Sequence, residues 1–302
     1  MILGFIDAQT LVDAVSLGAI YALMAVGIGL VFGVLRLINF AYGQLIMAGA
    51  YTLAYTSAWP VFWSVLACFV VVIALSMAMD RVVFRPLRDQ TPAVMLVTTF
   101  AISFMLQAIA LVIDLRDGFI GETAASIAPL NQVVTIRGVD VHKVTFVAIG
   151  VTVGILLGLA LLLRYTTIGL HMRAAATDFP TARLLGVRAN RVIGFAVFLS
   201  ALVAATVAVL MTVQNPFVSP DFALNETIVV LVGVVVGGLN RLWTATLGGF
   251  AIGFATGVIS DELPTDKTVY LPTAVFALVI LVLLLRPAGL FTWGRQASAE
   301  RV

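Results

Sequence analysis

The sequence predicts an all-α protein: a polytopic bundle of transmembrane helices with about nine segments (eight to ten), the N-terminus outside and the C-terminus inside. Of its 302 residues, 62% are hydrophobic and only 11% are charged, and the mean hydropathy is +1.12. A soluble domain carries about a quarter charged residues. Long apolar runs alternate with charged breaks, and a spanning helix needs about 20 apolar residues. These observations predict a single transmembrane domain over residues 1–302.

The predicted membrane segments are the apolar runs between charged or turn-rich breaks. They cover residues 11–35, 39–57, 60–80, 92–113, 143–163, 191–213, 225–239, 243–260 and 268–285. The second, seventh and eighth segments are short and rich in glycine, which is typical of tilted, broken or re-entrant helices. The longest outer break covers residues 114–142, and the longest inner break covers residues 164–191.

The distribution of charge predicts the orientation of the chain, because cytoplasmic loops carry an excess of lysine and arginine. With the N-terminus outside, the inner breaks hold 13 of the 17 basic residues: Arg36, Arg81, Arg85, Arg88, Arg164, Arg173, Arg183, Arg188, Arg191, Arg241, Arg286, Arg295 and Arg301. The outer breaks hold 11 of the 15 acidic residues: Asp7, Asp13, Asp114, Asp117, Glu122, Asp140, Asp221, Glu226, Asp261, Glu262 and Asp266. Removing one span would put a basic loop outside.

Two predicted helices carry a glycine at every fourth position, which places the glycines on one helix face. These are Gly150, Gly154 and Gly158 in one helix and Gly249, Gly253 and Gly257 in another. Small residues let two helix backbones approach closely inside a membrane. We therefore expect both faces to pack tightly against other helices; a role as hinges is the alternative.

Catalytic and cofactor motifs are missing from the sequence. The two histidines, His142 and His171, are not near a carboxylate pair at ligand spacing, and Cys68 is the lone cysteine. Neither Lys143 nor Lys267 follows a phosphate-binding loop, and no nucleophile motif is present. The sequence thus predicts a non-enzyme without a resident cofactor or metal site. The net charge of +2 does not indicate a nucleic-acid partner.

The inner break at 164–191 holds signals for a short helix. Thr177 or Asp178 can cap a helix start, and Pro180 is tolerated in the first turn. Gly186 suits the position just past a helix end. These residues predict a short helix on the cytoplasmic face. A plain surface helix that bridges two spans is the alternative interpretation.

Motifs along nearly the whole chain carry a family resemblance. They are Gly18-Ala19-Ile20-Tyr21-Ala22-Leu23-Met24-Ala25-Val26-Gly27, Ile38-Asn39-Phe40-Ala41-Tyr42-Gly43-Gln44, Arg173-Ala174-Ala175-Ala176 with Asp178, Ala182-Arg183-Leu184-Leu185-Gly186-Val187 with Asn190-Arg191, Gly237-Gly238-Leu239, Gly248-Gly249-Phe250-Ala251-Ile252-Gly253 and Leu285-Arg286-Pro287-Ala288-Gly289-Leu290-Phe291. In order and spacing they resemble LivH-type permeases, the membrane subunits of ABC importers for branched-chain amino acids. Tyr42 stands where that family more commonly has histidine.

The resemblance implies a role for the inner break. In that family this loop forms a coupling helix that docks in a groove of the ATPase subunit, and a rigid helix transmits a push that a flexible loop would absorb. The residues that it implies for coupling are Arg173, Asp178, Ala182, Arg183, Leu185, Gly186 and Arg188. Their charges would set the register of docking more than its affinity.

The resemblance also implies partners and a location. The expected partners are two ATP-binding subunits, a second permease subunit (LivM-like or a second copy) and an extracytoplasmic substrate-binding protein. The expected location is the plasma (inner) membrane of a bacterium or archaeon. Because this chain has no phosphate-binding loop, the nucleotide must sit on the ATPase partners.

Polar residues inside the spans are the candidates for a substrate path, because polar groups in a membrane are costly and face the bundle interior. The candidates are Asn39, Gln44, Gln107 and Asn215, with Asn225 and Glu226 beside them. Helix capping or an interfacial position is the alternative for each, and it is strongest for Asn39 and Glu226. Branched-chain amino acids are the expected substrates; urea, short amides and small carboxylates stay open, as does an ion-coupled secondary transporter. A membrane-embedded enzyme is a further alternative.

Overall fold

A computed structural model describes residues 7–36, 38–87, 90–118, 121–136, 139–238 and 242–285 of the chain. The predicted all-α fold is confirmed, since every predicted membrane segment coincides with a helix. In chain order the elements are α1 (Ala8–Leu35), α2 (Tyr42–Tyr55), α3 (Val61–Met79), a π-helical turn (Asp80–Phe84), α4 (Arg85–Leu87), α5 (Pro92–Asp117), β1 (Glu122–Thr123), a 3-10 turn (Ala128–Leu130), β2 (Val133–Ile136), β3 (Val139–His142), α6 (Lys143–Tyr165), α7 (Thr167–Thr177), α8 (Phe179–Leu184), α9 (Ala189–Gln214), β4 (Phe217–Val218), α10 (Leu224–Gly237), α11 (Leu242–Glu262), a 3-10 turn (Thr265–Tyr270) and α12 (Leu271–Leu285).

Helix lengths separate full spans from partial ones. Within the described ranges, six helical stretches are long and apolar enough to cross a membrane: 8–35, 61–84, 93–116, 143–165, 190–214 and 242–262. Helices α2 and α10 have 14 residues each, or about 21 Å against about 30 Å of hydrocarbon. The prediction of short second and seventh segments is confirmed. The prediction for the eighth is wrong, because α11 runs for 21 residues.

Helix α1 forms the centre of the bundle and packs against α6, α9, α10 and α11. Its middle is buried almost without interruption from Gly18 to Ile28. Outer helices instead expose apolar side chains, among them Phe62 on α3, Phe104 on α5, Leu157 on α6 and Leu284 on α12. Exposed apolar faces on this scale match a hydrocarbon solvent rather than water.

The glycine ladder of α11 packs against α1, as predicted. A Cβ atom at Gly253 would lie 2.7 Å from the Cβ of Tyr21 and 2.9 Å from the Cα of Gly18, and one at Gly257 would lie 2.6 Å from the Cα of Ala14. At Gly249 it would lie 2.4 Å from the Cβ of Ala25. The two helices therefore approach closely only because these three positions lack side chains.

The glycine ladder of α6 is different. A Cβ atom at Gly150, Gly154 or Gly158 would meet no other atom within 4 Å. Within the described chain, no helix covers this face, and its packing against another helix stays a prediction. Equal spacing of glycines specifies a smooth helix face, but it does not specify which neighbouring helix covers that face.

The starts of α2 and α10 meet inside the bundle. A Cβ atom at Gly43 would lie 2.8 Å from the carbonyl oxygen of Ala223 and 2.4 Å from Oγ1 of Thr227. The ring of Tyr42 lies against Gly27 of α1 in the same way. Non-helical chain therefore enters the bundle before each of these short helices, an arrangement that membrane proteins tolerate where it is covered by protein.

Charged residues collect at opposite ends of the bundle. One end, the arginine-rich end, is formed by the end of α1, α4, α7 and the start of α9; here an Nη of Arg36 donates to the carbonyl oxygen of Ala176. At the other end, the acidic end, Thr10 donates to Asp261, and β1 pairs antiparallel with β4. This separation is the one predicted from the sequence. Several residues of the predictions lie outside the described residues: Arg88, Leu239, Arg241, Arg286 to Phe291, Arg295 and Arg301.

Candidate functional site

Helix α8 at the arginine-rich end begins at the predicted cap. The backbone N–H of Thr181 donates to Oδ1 of Asp178 at 3.3 Å, and the Thr181 hydroxyl donates to Oδ2 of the same carboxylate. Asp178 itself has an extended backbone, which is the usual conformation of a helix cap. Both hydrogen bonds lower the pKa of the exposed Asp178 carboxyl below its ordinary value. The bond from the Thr181 hydroxyl has the larger effect, and the bond from the backbone N–H has the smaller one.

The end of α8 is also at the predicted residue. Gly186 has φ +90°, in the left-handed region that glycine adopts without strain. The N–H of Val187 donates to the carbonyl oxygen of Ala182 at 3.1 Å, and that of Leu185 donates to Thr181. This is the six-residue closure that often ends a helix at a glycine. Both ends of α8 are therefore set by local residues.

Helix α7 was not predicted from the sequence and connects α8 to the bundle. The Thr166 hydroxyl accepts from the N–H of Gly169 at 3.0 Å and so caps α7. A Cβ atom at Gly169 would lie 2.4 Å from the carbonyl oxygen of Leu162, so α7 folds directly back on the end of α6. Met172 and Ala175 are buried. The signal for α7 was present in the Thr166 cap followed by small and apolar residues at helical spacing.

The surface of the predicted coupling loop combines apolar and basic side chains. Leu184 and Leu185 are 88% and 81% exposed, whereas Ala182 is buried. Arg173, which precedes α8 in the chain, and Arg188, which follows it, are both exposed. Arg183 belongs to α8, but its side chain lies outside the described part of the structure. The structure thus brings most of the predicted coupling residues to one end of the bundle.

Two of the predicted substrate-path residues have local hydrogen bonds. Oδ1 of Asn39 accepts from the N–H of Ala41 at 3.1 Å, and Oδ1 of Asn215 accepts from the N–H of Phe217 at 3.3 Å. Such bonds to the backbone two residues ahead are typical turn contacts. These two oxygens therefore cap the local backbone, which was the alternative to a substrate-path role. The Asn215 side chain also lines a cavity described below.

The other two predicted path residues lie apart. Gln44 is 1% exposed in α2, and its Oε1 atom has no hydrogen-bond partner among the described residues. Gln107 is half-buried on α5, a helix whose apolar face is largely exposed. The structure therefore does not gather the four predicted residues into one site.

A cavity of about 240 Å³ lies between α1, α9, α10 and α11, and its lining is mainly apolar with several polar side chains. Its polar lining side chains are Tyr21, Gln214, Asn215, Glu226, Thr256 and Ser260, and its apolar lining includes Leu17, Ile20, Met211, Phe222 and Leu271. Asn225, by contrast, is exposed. Glu226 was placed at the outer end by the sequence, but the structure places it beside Tyr21, halfway along α1.

A second cavity of about 220 Å³ adjoins the first, because Leu17 and Gln214 line both. It also reaches Asp13, near the start of α1, and His142. Nε2 of Gln214 donates to Oγ of Ser16 at 3.0 Å where the two cavities meet. Sequence reasoning missed Ser16 and Gln214, since neither residue stands out until α1 and α9 are packed together. Among the described residues, no three histidine, cysteine or acidic side chains are grouped as metal ligands.

A bundle with several apolar spans, a capped helical unit at a basic end and cavities between its helices fits an integral membrane protein. The profile of one family matches residues 10–286. The chain belongs to this family, whose description is branched-chain amino acid transport system, permease component.

Relatives agree with this assignment, and two solved structures show the same fold. The chain is 31% identical to BraD, a high-affinity branched-chain amino acid transport permease of Pseudomonas aeruginosa, over 93% of this chain and 94% of BraD. It is 29% identical to LivH of Escherichia coli over the same shares. Two solved chains share the fold: one from PsaBC of Streptococcus pneumoniae (TM-score 0.51, 13% identity, 95% of each chain) and one from an inward-facing ABC transporter of metal-chelate type (TM-score 0.50, 17% identity, 95% of this chain and 89% of that one). Both of these relatives are named as permeases.

Proposed function

We propose that this chain is the membrane-spanning subunit of an ABC importer for branched-chain or related amino acids, and that it works by alternating access. Family membership supports the class of substrate. The mechanism is supported mainly by α7 and α8, which we call the α7–α8 unit. Helix α8 is capped at both ends and lies at the arginine-rich end of the bundle, and α7 connects it to α6 by folding back on the end of that helix.

The α7–α8 unit has the properties of a force-transmitting contact. Arg36 at the end of central helix α1 bonds to Ala176 of α7, so movement of α7 acts directly on the bundle core. Exposed Leu184 and Leu185 offer apolar contact to a groove, and exposed Arg173 and Arg188 offer charges at its rim. Buried apolar anchors with a polar rim are the usual anatomy of a protein interface.

The full proposal includes partners that this chain does not contain. ATP binding would bring two ATPase subunits together, and their movement would reach this chain through α8. A second permease subunit, either LivM-like or a second copy, would complete the pathway, and an extracytoplasmic binding protein would deliver the substrate. The chain would form one permease domain with residues 164–191 as its coupling loop.

The proposed orientation has the arginine-rich end in the cytosol and the N-terminus outside, in the inner membrane of a bacterium or archaeon. It follows from the excess of basic residues on cytoplasmic loops. The collection of Arg36, Arg173 and Arg188 at one end of the bundle supports it. A single cysteine in place of Thr181, which is exposed, tests it in intact cells with a membrane-impermeant reagent. Labelling from the outer medium would refute the orientation and the coupling role together.

Coupling through α8 is tested by Gly186→Pro. Proline fixes φ near −65°, so it cannot adopt the φ of +90° at this position, and the α8 closure should be lost. In the complete transporter we expect normal assembly and ATP hydrolysis with loss of substrate uptake. Gly118→Pro is the matched control, because Gly118 has φ +83° past the end of α5 and nothing within 4 Å. Normal uptake by the Gly186 variant would remove α8 from the mechanism.

A further inference from the structure

Glu226 is a carboxylate held inside the helix bundle. It lies in the first turn of α10, whose start meets the start of α2. Its side chain is partly buried and lines the 240 Å³ cavity beside Tyr21 and Thr256. Ionisable groups inside a membrane bundle are expensive and mark pathways or binding sites.

The carboxylate has no basic partner in its cavity. The residues that line this cavity are all described, and they include no lysine, arginine or histidine. The start of α10 supplies a partial positive charge that favours the ionised carboxylate, but a helix end offers only about half an elementary charge. The cavity therefore holds an acidic group without a basic side chain in its lining, and it suits a cation.

The remaining lining fits a small amphipathic molecule. Ile20, Met211 and Phe222 provide an apolar wall, and Asn215 and Ser260 add polar groups to the same lining. The adjoining cavity at Asp13 shares Leu17 and Gln214 with this one, and the hydrogen bond between Ser16 and Gln214 lies where the two cavities meet. Each of the two cavities thus has an acidic side chain in its lining.

We propose that Glu226 binds the ammonium group of the transported amino acid, while the apolar wall receives its aliphatic side chain. This inference rests on the proposed function and names the recognition group within it. A charge-assisted hydrogen bond contributes about 1.5–3 kcal/mol, which corresponds to a roughly 10- to 150-fold change in an equilibrium constant. The carboxylate would act on substrate in transit, after release from the binding protein.

The first experiment measures uptake of L-leucine by the complete transporter in proteoliposomes with ATP inside. Glu226→Gln should lower uptake at least tenfold, and Glu226→Asp should retain part of it. ATP hydrolysis stimulated by the loaded binding protein should persist in both variants. Glu262→Gln is the matched control, because Glu262 is exposed at the end of α11 and should leave uptake unchanged. Uptake by the Gln variant at the wild-type rate would overturn the proposal.

A second experiment separates ammonium recognition from a structural role. Hydrogen exchange of residues 224–232 in the purified chain is quantified by mass spectrometry in the presence of isopentylamine or 4-methylpentanoate. We expect the amine, which keeps only the ammonium of leucine, to protect at least fivefold more than the acid, which keeps only the carboxylate. Equal protection by both compounds would overturn the proposal.

The two experiments distinguish the failure of this inference from that of the proposed function. A wild-type transporter that imports no amino acid would contradict the proposed function, even if the amine still protects residues 224–232. Wild-type import that is unaffected by Glu226→Gln would contradict only the role of this carboxylate.

Discussion

The contrast between the two glycine ladders gives a sharp test of the packing. Gly253→Ala in α11 places a methyl group 2.7 Å from the Cβ of Tyr21 and 2.9 Å from the Cα of Gly18. Both neighbours are close to or part of the α1 backbone, so they cannot move aside by a change of rotamer. Overpacking of this kind costs about 1–3 kcal/mol. Gly154→Ala in α6 has the same chemistry but meets no atom within 4 Å.

The pair isolates packing from backbone effects. Both glycines lie in helix interiors, so alanine should add the same intrinsic helix stability of about 0.8–1 kcal/mol at each. The difference between the variants is then the packing cost alone, about 1–3 kcal/mol. The assay is the free energy of unfolding in mixed micelles, measured by titration with a denaturing detergent. Equal stabilities, or a Gly154 variant less stable than the Gly253 variant, would refute the packing of α11 on α1.

Three further predictions concern the cap of α8, a buried carboxylate and the lone cysteine. The pKa of Asp178 is lowered in the folded state. The stability that its carboxylate gives to the start of α8 is therefore fully present at pH values above the ordinary carboxyl pKa and is lost as pH falls through the folded pKa. The hydrogen-exchange protection factors of residues 179–184, which correct for the pH dependence of intrinsic exchange, should therefore fall toward acid pH in the wild type and stay level in Asp178→Asn. Asp114→Ala should lower the free energy of unfolding by about 2–5 kcal/mol, because the Tyr51 hydroxyl and the Gly121 N–H lose the acceptor that lies 2.7 and 2.9 Å away. Adding Tyr51→Phe to this variant should restore part of the lost stability, because it removes one of the two unpaired donors. Finally, Cys68 is fully buried, so a thiol reagent should label it only after unfolding.

Much of the fold follows from local signals in the sequence. Hydropathy located every membrane helix, since a spanning segment must be apolar over its own length. Asp178 and Gly186 located the ends of α8, because a cap bonds to residues within one turn and a left-handed position needs glycine. The separation of acidic and basic breaks likewise depends only on the order of residues along the chain.

The candidate site depends on contacts between residues far apart in sequence. Hydropathy placed Glu226 at a segment end, whereas the meeting of α2 and α10 inside the bundle puts it beside Tyr21. The bond between Ser16 and Gln214 joins residues of α1 and α9, and neither carries a signal of its own.

The sequence by itself therefore determined which stretches are helices, where their charged ends lie and where the coupling helix begins and ends, because each of these depends on interactions within a few residues. Only the tertiary structure decided which helix faces meet, so the covered ladder of Gly253 and the open ladder of Gly154 could not be told apart beforehand. It also decided that a carboxylate lies within the bundle, since depth is a property of packed helices and not of position along a chain.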